Sequence, residues 1–582
     1  MRKQRLKSRT SLIQGLCFLV FGLIVIQLFR LQVLNHKLYA TKANQQQIMK
    51  STIFAKRGEI YFLDGDTPVP IVMNKKTYTI SIDPSLVVKK REEITKKIDE
   101  MVGNYRTKAS WDEVFADPER KYFVVAKDVP YRETNNLKNA DLTGVYEQET
   151  TTRVYPEGEM AAQVLGFVNQ EGEGQYGVEG SLNKELTGEN GLLKTVKDSN
   201  NVPLTIGNEN VKIPAKDGKN LVLTIDRNIQ KKAEEAVDEV TKKFNITYGS
   251  AIVMNPATGQ ILAMAGKPGY NPAEYAKVTD AKVFQTDVTM NAFDSASVCK
   301  TFAIAAAIDS GVMTPETTYY NTDRLVIDGW PIENAIKGHT GEISMQTVLT
   351  YSLNTGSIQA LKLLGGSASE ITYQGKEKLY DYYHNRFNLG KYTGIELPET
   401  KGAIVPPNDI DATDARYANM TFGQSLDLSI IQVASAFSAV VNGGEYYRPT
   451  LIAGEMKDGK FVRTELAKAD HDALNKNDTS RTMRQMLHTG RLVFPNVKGY
   501  DEDYYVGGKT GTAQTVKNGK YSFDETIGTY VGFGAKSLEE TPDYVIMTKV
   551  WSDNRKLDGG MNAKPIFDEI SKYMINYNKV RR

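Results

Sequence analysis

Residues 293–309 read FDSASVCKTFAIAAAID, in which Ser297 stands three positions before Lys300. The apolar, alanine-rich run after them favours a helix, and side chains at i and i+3 share a helix face, so the hydroxyl and the amine can meet. An exposed lysine is a poor base at neutral pH, but burial and a second cation lower its pKa and allow the neutral amine to take the serine proton. The spacing alone decides little, because Ser181 and Lys184 share it in a polar stretch.

A second polar segment, Ser352-Leu353-Asn354, follows an apolar helical run. Short polar side chains in such a place commonly cap a helix or a turn, and that explanation stays open. The functional interpretation is that Ser352 relays a proton and Asn354 orients a substrate amide.

A third segment, Lys509-Thr510-Gly511-Thr512, lies within VGGKTGTAQT. Glycines weaken a strand unless something must approach its backbone closely, and a substrate peptide could add alongside as a further strand. Lys509 and the two threonine hydroxyls would then suit a terminal carboxylate. The alternative is a glycine-bearing strand with a surface lysine. Together, and in this order, the three segments match the S-x-x-K, S-x-N and K-T-G signature of the penicillin-recognising serine enzymes.

The secondary structure around these segments predicts an α+β fold. Strand-like runs occur at 250–254, 260–264, 503–516, 520–534 and 543–551. Asn518-Gly519 between two of them is a hairpin signal, and Asp226 is a good N-cap for a helix. The middle, 290–445, is rich in helical patterns, and 565–578 is amphipathic. We therefore expect one antiparallel five-stranded sheet with a helical cluster against it.

The N-terminus predicts a membrane anchor. Residues 1–10 carry five basic side chains and no acidic one, and 12–29 (LIQGLCFLVFGLIVIQLF) carry no charge. A span of this length is about enough to cross a bilayer, and the basic flank is expected to stay in the cytoplasm. A cleaved signal peptide is the alternative, but its apolar core is usually shorter, and no small-x-small cleavage site follows directly.

Length and composition place the remaining parts. A chain of 582 residues predicts two or three domains. Its 72 basic and 70 acidic residues nearly cancel, so there is no strong positive electrostatic field that could hold nucleic acid. Short β-like runs alternate with Gly, Pro and acidic turns from about 57 to 220, which indicates an extended α/β pedestal. Cys17 lies in the apolar segment and Cys299 lies far along the chain, so we expect no disulfide between them.

The chain resembles class B penicillin-binding proteins over nearly its whole length. RGEI at 57–60 resembles the R-G-x-I motif of that family, and 153–156 (RVYP) with 177–180 (GVEG) resemble its later pedestal motifs. GIELP at 394–398 and FGQ at 422–424 resemble motifs near the active site. The resemblance implies a cytoplasmic tail (1–10), a transmembrane anchor (11–34), a pedestal or dimerisation-like domain (35–219) and a penicillin-binding transpeptidase domain (220–582).

For the reaction, the resemblance implies that Ser297 is the nucleophile and Lys300 its general base. Ser352 and Lys509 would serve the later proton transfers. The product would be a cross-link between peptidoglycan stem peptides, formed through an acyl-serine with release of terminal D-Ala. No cofactor and no metal are implied.

For binding, the resemblance implies that Asn354 holds the peptide, while Thr510, Gly511 and Thr512 bind the terminal carboxylate. The backbone N–H groups of Ser297 and Thr512 would form the oxyanion hole. β-Lactams would be trapped at the same serine, because their leaving group stays tethered after the ring opens.

Several positions depart from the family pattern. Ser295-Ala296 replaces the usual Pro-Gly before the serine, and Cys299 replaces a bulky residue before the lysine. Cys299 raises the alternative hypothesis of a cysteine nucleophile, but no histidine lies near it in sequence. Among the histidines, only His339 is a possible neighbour of the site. Phe62-Leu63 replaces the usual Asp-Arg pair of the pedestal.

Other functions stay open. A D,D-carboxypeptidase or a serine β-lactamase shares all three motifs, and a β-lactam sensor or scaffold is a second alternative. The expected partners are stem peptides ending in D-Ala-D-Ala, β-lactams and a SEDS-type glycosyltransferase with other membrane proteins of division or elongation. FGQ at 422–424 and TYVGF at 529–533 favour the septal branch. The expected place is the cell membrane, single-pass, with the N-terminus cytoplasmic and the catalytic domain outside.

Overall fold

The computed structural model describes residues 2–37, 48–117, 120–140, 142–196, 211–475, 477–494, 504–517 and 520–580. They belong to two compact units, Met1–Arg57 with Thr187–Gly218 and Gly58–Leu186 with Lys219–Arg582. The predicted hairpin residues Asn518 and Gly519 lie outside the described residues.

The first unit begins with one long helix. It runs over Arg2–Phe29 and continues as a π-helical turn, Arg30–Leu34. Its segment Ser11–Leu34 is 24 residues long, and its apolar side chains are mostly exposed. At 1.5 Å per residue such a helix is long enough to cross the hydrocarbon core of a bilayer. The remaining strands of this unit, Ile48–Ile53, Gly191–Val196 and Val211–Ile213, form an antiparallel sheet.

The second unit has two parts, Gly58–Leu186 (the pedestal half) and Lys219–Arg582 (the predicted catalytic half). The predicted catalytic half contains the predicted five-stranded antiparallel sheet. Its strands, in spatial order, are Ile261–Lys267, Tyr248–Met254, Tyr544–Trp551, Lys520–Ala535 and Tyr505–Lys517. Helices Arg227–Phe244 and Lys564–Val580 pack on one face, where Val253 and Ile546 meet Val237 and Ile570. Burial of such apolar faces is the main favourable term in folding. The predicted five-stranded antiparallel sheet of an α+β fold is therefore confirmed.

A helical cluster covers the other face of the sheet and carries most of the site. Its helices are Asp287–Met290, Lys300–Asp309, Met345–Tyr351, Asn354–Leu364, Tyr373–Tyr380, Asp414–Met420, Ile430–Val441 and Asn477–Leu492. Small strands accompany them: Thr318–Asn321 with Gly341–Ser344, Arg324–Ile327 with Trp330–Glu333, and Glu445–Tyr446 with His471–Asp472. Phe302 and Phe437 are fully buried here, so the helix after the serine is held inside the core.

The pedestal half of the second unit is a mixed α/β structure. Its strands are Ile60–Asp64, Thr67–Ile82, Phe123–Val129, Val145–Val154, Phe167–Val168 and Gly174–Gln175. Its helices are Pro84–Val87, Arg91–Val102, Trp111–Val114, Tyr131–Asn139, Ala162–Leu165, Gly177–Ser181 and Asn183–Thr187. Arg153 Nε donates to Glu179 Oε1 at 2.7 Å, and both side chains are buried. A buried charge without its partner is strongly destabilising, so this pair holds two pedestal motifs together.

One strand, Asn220–Asp226, begins directly after the predicted boundary at 219/220 and pairs with a strand of the pedestal. Asn220–Asp226 pairs in parallel with Ile60–Asp64 and in antiparallel with Ile452–Lys457, within a seven-stranded sheet. Asp226 Oδ1 then accepts from the backbone N–H groups of Asn228 and Ile229, as expected for the N-cap of the next helix. Because both halves share this strand, the division at 219/220 stays a prediction.

Candidate active site

Ser297 lies in a tight turn that precedes a buried helix. The turn Ala296–Cys299 is 3-10 helical, and the α-helix Lys300–Asp309 follows directly. Ala296 has φ +57°, a left-handed conformation that glycine adopts most readily, and its N–H donates to the carbonyl of Gly423 at 3.0 Å. Ser297 itself is half-buried, so its hydroxyl is at the surface of the helical cluster while its backbone is held by the core.

Lys300 brings two of the three motifs together. Its Nζ lies 2.9 Å from Ser297 Oγ and 3.1 Å from Ser352 Oγ, and it donates to the carbonyl of Ser352 at 2.6 Å. The side chain is fully buried, and this burial, together with the charge of Lys509, lowers the pKa of Lys300 well below its usual range. A neutral amine at this position has a lone pair that can accept the proton of the Ser297 hydroxyl.

Lys509 adds a second amine to the same region. Its side chain is 5% exposed, and its Nζ donates to the carbonyl of Thr510 at 3.1 Å. Burial lowers the pKa of Lys509 to about 7, while the carboxylate of Asp558 acts in the opposite direction. Near neutral pH this lysine can therefore either hold or release a proton.

Ser352 and Asn354 occupy the junction between two helices. Ser352 ends the helix Met345–Tyr351 in a left-handed conformation, φ +60°, which a residue other than glycine rarely adopts. Asn354 begins the next helix, and its Nδ2 donates to the carbonyl of Glu333 at 2.7 Å. The strained junction aims the hydroxyl of Ser352 at Lys300.

A buried polar network supports this junction, and sequence reasoning did not find it. The carboxylate of Asp323 accepts from the Nδ2 groups of Asn321 and Asn334, each at 2.9 Å. Thr355, which follows Asn354, donates its hydroxyl to Asn321 Oδ1 at 2.8 Å and its N–H to Asn334 Oδ1 at 3.0 Å. These hydrogen bonds hold the pKa of Asp323 well below its usual range. No local pattern joins Thr355 to Asn334 and Asn321, because these contacts span 21 and 34 residues.

The third motif lies on the last strand of the five-stranded sheet. Tyr505–Lys517 pairs with Lys520–Ala535 on one edge, and among the described residues no strand pairs with its other edge. A Cβ at Gly511 would lie 2.4 Å from Thr529 Oγ1 and 3.0 Å from the carbonyl of Ser295. Glycine is therefore needed for this edge strand to pack against the turn that carries the serine.

The two threonines of the motif differ in their surroundings. The hydroxyl of Thr512 donates to Asp558 Oδ2 at 3.0 Å and accepts from the N–H of Gly559 at 3.2 Å. Its hydrogen is thus engaged, so the predicted carboxylate role of Thr512 requires a change of partner. Asp558 also caps the turn Gly559–Ala563 by accepting from two backbone N–H groups.

Comparisons with known proteins identify the family to which the chain belongs. The family model "Penicillin binding protein transpeptidase domain" matches residues 249–572, more than half of the chain. The chain belongs to this family. A second model, "Penicillin-binding Protein dimerisation domain", matches residues 52–223. The chain is therefore a class B penicillin-binding protein, with a transpeptidase domain and a dimerisation domain.

Individual relatives cover most of this penicillin-binding protein. Stage V sporulation protein D of Bacillus subtilis is 29% identical over 88% of this chain and 77% of its own length. Peptidoglycan D,D-transpeptidase FtsI of Buchnera aphidicola subsp. Schizaphis graminum is 25% identical over 97% of this chain and 95% of its own length. A structure of penicillin-binding protein 3 of Mycobacterium tuberculosis with aztreonam shares the fold, with TM-score 0.66 and 21% identity over 91% of this chain and 98% of that one.

The departures from the family pattern have structural explanations. Ala296 has φ +57°, a left-handed conformation that glycine adopts most readily, at the position where the family usually has glycine. Cys299 is fully buried with its Sγ 3.0 Å from Ser295 Oγ, and burial raises the pKa of its thiol to about 12. Such a thiol is inert, so the cysteine-nucleophile reading has no support. The ring of His339 packs on Tyr351 with centroids 4.1 Å apart, next to the junction at Ser352.

Proposed function

We propose that this penicillin-binding protein is a membrane-anchored peptidoglycan D,D-transpeptidase that cross-links stem peptides. The observation that carries the proposal is the contact of one buried amine, Lys300 Nζ, with the hydroxyls of both Ser297 and Ser352. This is the arrangement that a serine nucleophile needs, since the base lies within hydrogen-bond reach of the proton that it must take.

In the first step, Lys300 takes the proton of Ser297 while Oγ attacks the carbonyl of the penultimate D-Ala. The C–N bond breaks, terminal D-Ala leaves with a proton that Ser352 and Lys509 relay, and an ester remains on the serine. The backbone N–H groups of Ser297 and Thr512 are the proposed oxyanion donors, each typically worth about 3 kcal/mol in such sites. The bond energy is kept in the ester, so no energy-rich cofactor is required.

Substrate binding is proposed along the open edge of Tyr505–Lys517. Main-chain hydrogen bonds to an edge strand fix the register of an added peptide. Thr510 and protonated Lys509 would hold the terminal carboxylate, with Gly511 allowing its close approach and Thr512 assisting after release from Asp558. Asn354 would exchange the carbonyl of Glu333 for a peptide carbonyl.

The proposed setting is the outer face of the cell membrane. Five basic residues before the apolar helix favour a cytoplasmic N-terminus and an extracytoplasmic catalytic domain. The proposed division is an anchor at 11–34, a pedestal at 35–219 and a transpeptidase domain at 220–582. The domain models matched at 52–223 and 249–572 support the presence of the second and third parts. A SEDS-type polymerase and other septal proteins are the proposed partners.

The decisive test is intact-mass spectrometry of the protein after incubation with a penicillin. We expect a lasting one-to-one adduct that disappears in Ser297→Ala. The matched control is Ser181→Ala, because Ser181 has the same spacing to Lys184 but is exposed in the pedestal half. Rapid consumption of penicillin without an adduct would indicate a β-lactamase, and a donor peptide that is only hydrolysed would indicate a carboxypeptidase. No adduct and no consumption would refute the proposal.

A further inference from the structure

An open groove of about 370 Å³ lies beside the proposed active site, within the catalytic half of the second unit. Its volume is in the range of small-ligand sites. The lining residues are Trp330, Thr413, Ala415, Arg416, Asn419 and Ser425. None of them belongs to the edge strand Tyr505–Lys517, along which the donor peptide is proposed to bind.

The first wall of the groove is connected to Asn354. The strands Arg324–Ile327 and Trp330–Glu333 form a hairpin whose two turn residues, Asp328 and Gly329, have φ +51° and +80°. Asp328 Oδ2 accepts from the N–H of Ala415 at 2.8 Å, which holds the hairpin against the helix Asp414–Met420 that contributes Ala415 to the groove. At its other end, the carbonyl of Glu333 accepts from Asn354 Nδ2.

The second wall is connected to the turn that carries the nucleophile. The N–H of Ser425 donates to the hydroxyl of Tyr521 at 3.2 Å, and this hydroxyl donates to Asp294 Oδ2 at 2.8 Å. Asp294 stands three residues before Ser297. The groove therefore adjoins the site from two sides, through Asn354 and through Asp294.

The side chains of the groove suit a peptide that carries a carboxylate. Arg416 Nε is buried and has no hydrogen-bond partner among the described residues. The nearest acid, Asp411, is 70% exposed and 3.8 Å from Arg416 Nη1, which is a weak pairing. The Arg416 side chain as a whole is 36% exposed, so its terminal nitrogens, not the buried Nε, are available to a planar carboxylate in the groove. Trp330 is 69% exposed and presents an apolar surface at the hairpin turn.

We propose that this groove binds the acceptor stem peptide of the cross-linking reaction, with Arg416 pairing to an acceptor carboxylate and Trp330 covering its apolar part. The inference rests on the function proposed above and adds a second peptide site to it. In the step it serves, the acceptor amine attacks the ester carbonyl and the C–O bond to Ser297 breaks. The amine proton returns to Ser297 Oγ through Lys300, and a new amide remains.

The test separates acylation from transfer in the full-length protein. Acylation by a fluorescent penicillin is timed first, and an ester donor is then offered with one of two acceptor peptides, one with a free side-chain carboxylate and one with that group amidated. The ratio of transfer to hydrolysis is measured. Arg416→Gln is expected to lower this ratio about tenfold for the acid acceptor and less than twofold for the amide, with acylation within twofold of the unchanged protein.

Two further variants complete the experiment. Trp330→Ala is expected to lower transfer to both acceptors, because it removes apolar contact and not charge. Arg132→Gln, an exposed arginine in the pedestal helix Tyr131–Asn139, is the matched control and is expected to change neither rate. An equal loss of acylation and transfer in Arg416→Gln would assign the groove to the donor and overturn the inference, as would an unchanged ratio. Absence of any acylation in the unchanged protein would refute the proposed function and this inference with it.

Discussion

The substitution Gly423→Ala is expected to displace the nucleophile without touching it. Gly423 has φ +80°, and a Cβ at this position would lie 2.0 Å from the carbonyl oxygen of Ala296 and 2.7 Å from its nitrogen. The carbonyl of Gly423 also accepts from the N–H of Ala296. The backbone of the serine turn therefore packs directly against Gly423. The atoms that an added Cβ would meet all belong to the backbone of Ala296, so the clash cannot be relieved by moving a flexible side chain.

The expected effects of Gly423→Ala on stability and on the acylation rate have two causes. The left-handed conformation costs an alanine about 1–2 kcal/mol. The contact with Ala296 must also open from 2.0 Å to ordinary van der Waals distance, which moves the turn by about 1 Å. A misplacement of about 1 Å at a reacting group can cost on the order of 10²-fold in rate. We therefore expect acylation about 100-fold slower, with a loss of stability of roughly 2 kcal/mol.

The control separates strain from displacement. Gly366 has a similar φ of +74°, but a Cβ there meets nothing within 4 Å among the described residues. Gly366→Ala should lose about 1 kcal/mol of stability from backbone strain and acylate normally. The assays are the rate of acylation by a fluorescent penicillin and thermal unfolding. Equal acylation rates in the two variants would refute the reasoning about the serine turn.

The remaining predictions concern charge. The acylation rate should fall as pH rises through about 7, because Lys509 then loses its proton. Lys509→Arg should remove this alkaline fall, and an unchanged pH profile in Lys509→Arg would contradict the role of Lys509. Asp323 has a lowered pKa in the fold, so its contribution to stability is present above its unfolded pKa of about 3.9 and is lost as pH falls below it. Asp323→Asn should therefore cost about 2 kcal/mol in urea unfolding at pH 7 and progressively less as pH falls below about 3.9 towards the lowered pKa of the folded state, whereas a cost that does not change with pH would show that charge is not involved.

Patterns that are local in sequence predicted much of the fold. The spacing of Ser297 and Lys300 placed their side chains within 2.9 Å of each other. Asp226 caps the helix Arg227–Phe244, and the amphipathic C-terminal segment forms the helix Lys564–Val580. These contacts span a few residues, so backbone geometry alone brings their members together.

Such local patterns could not predict long-range contacts. The shared strand Asn220–Asp226, which pairs with Ile60–Asp64 and Ile452–Lys457, could not be read from any window of sequence. The hydrogen bonds of Thr512 with Asp558 join positions 46 residues apart. Which hydroxyl is engaged and which is available depends on the packing of separate elements.

The sequence by itself predicted the chemistry proposed for this protein: the candidate site residues, the order of the three motifs, the apolar N-terminal helix and the strands of the five-stranded sheet. Only the tertiary structure decided how those residues behave. Burial near Lys509 lowers the pKa of Lys300, and burial raises that of Cys299. The left-handed turn at Ala296 depends on Gly423. A pKa and a strained backbone are set by neighbours from distant parts of the chain, whereas a residue's chemical type is written in its own position.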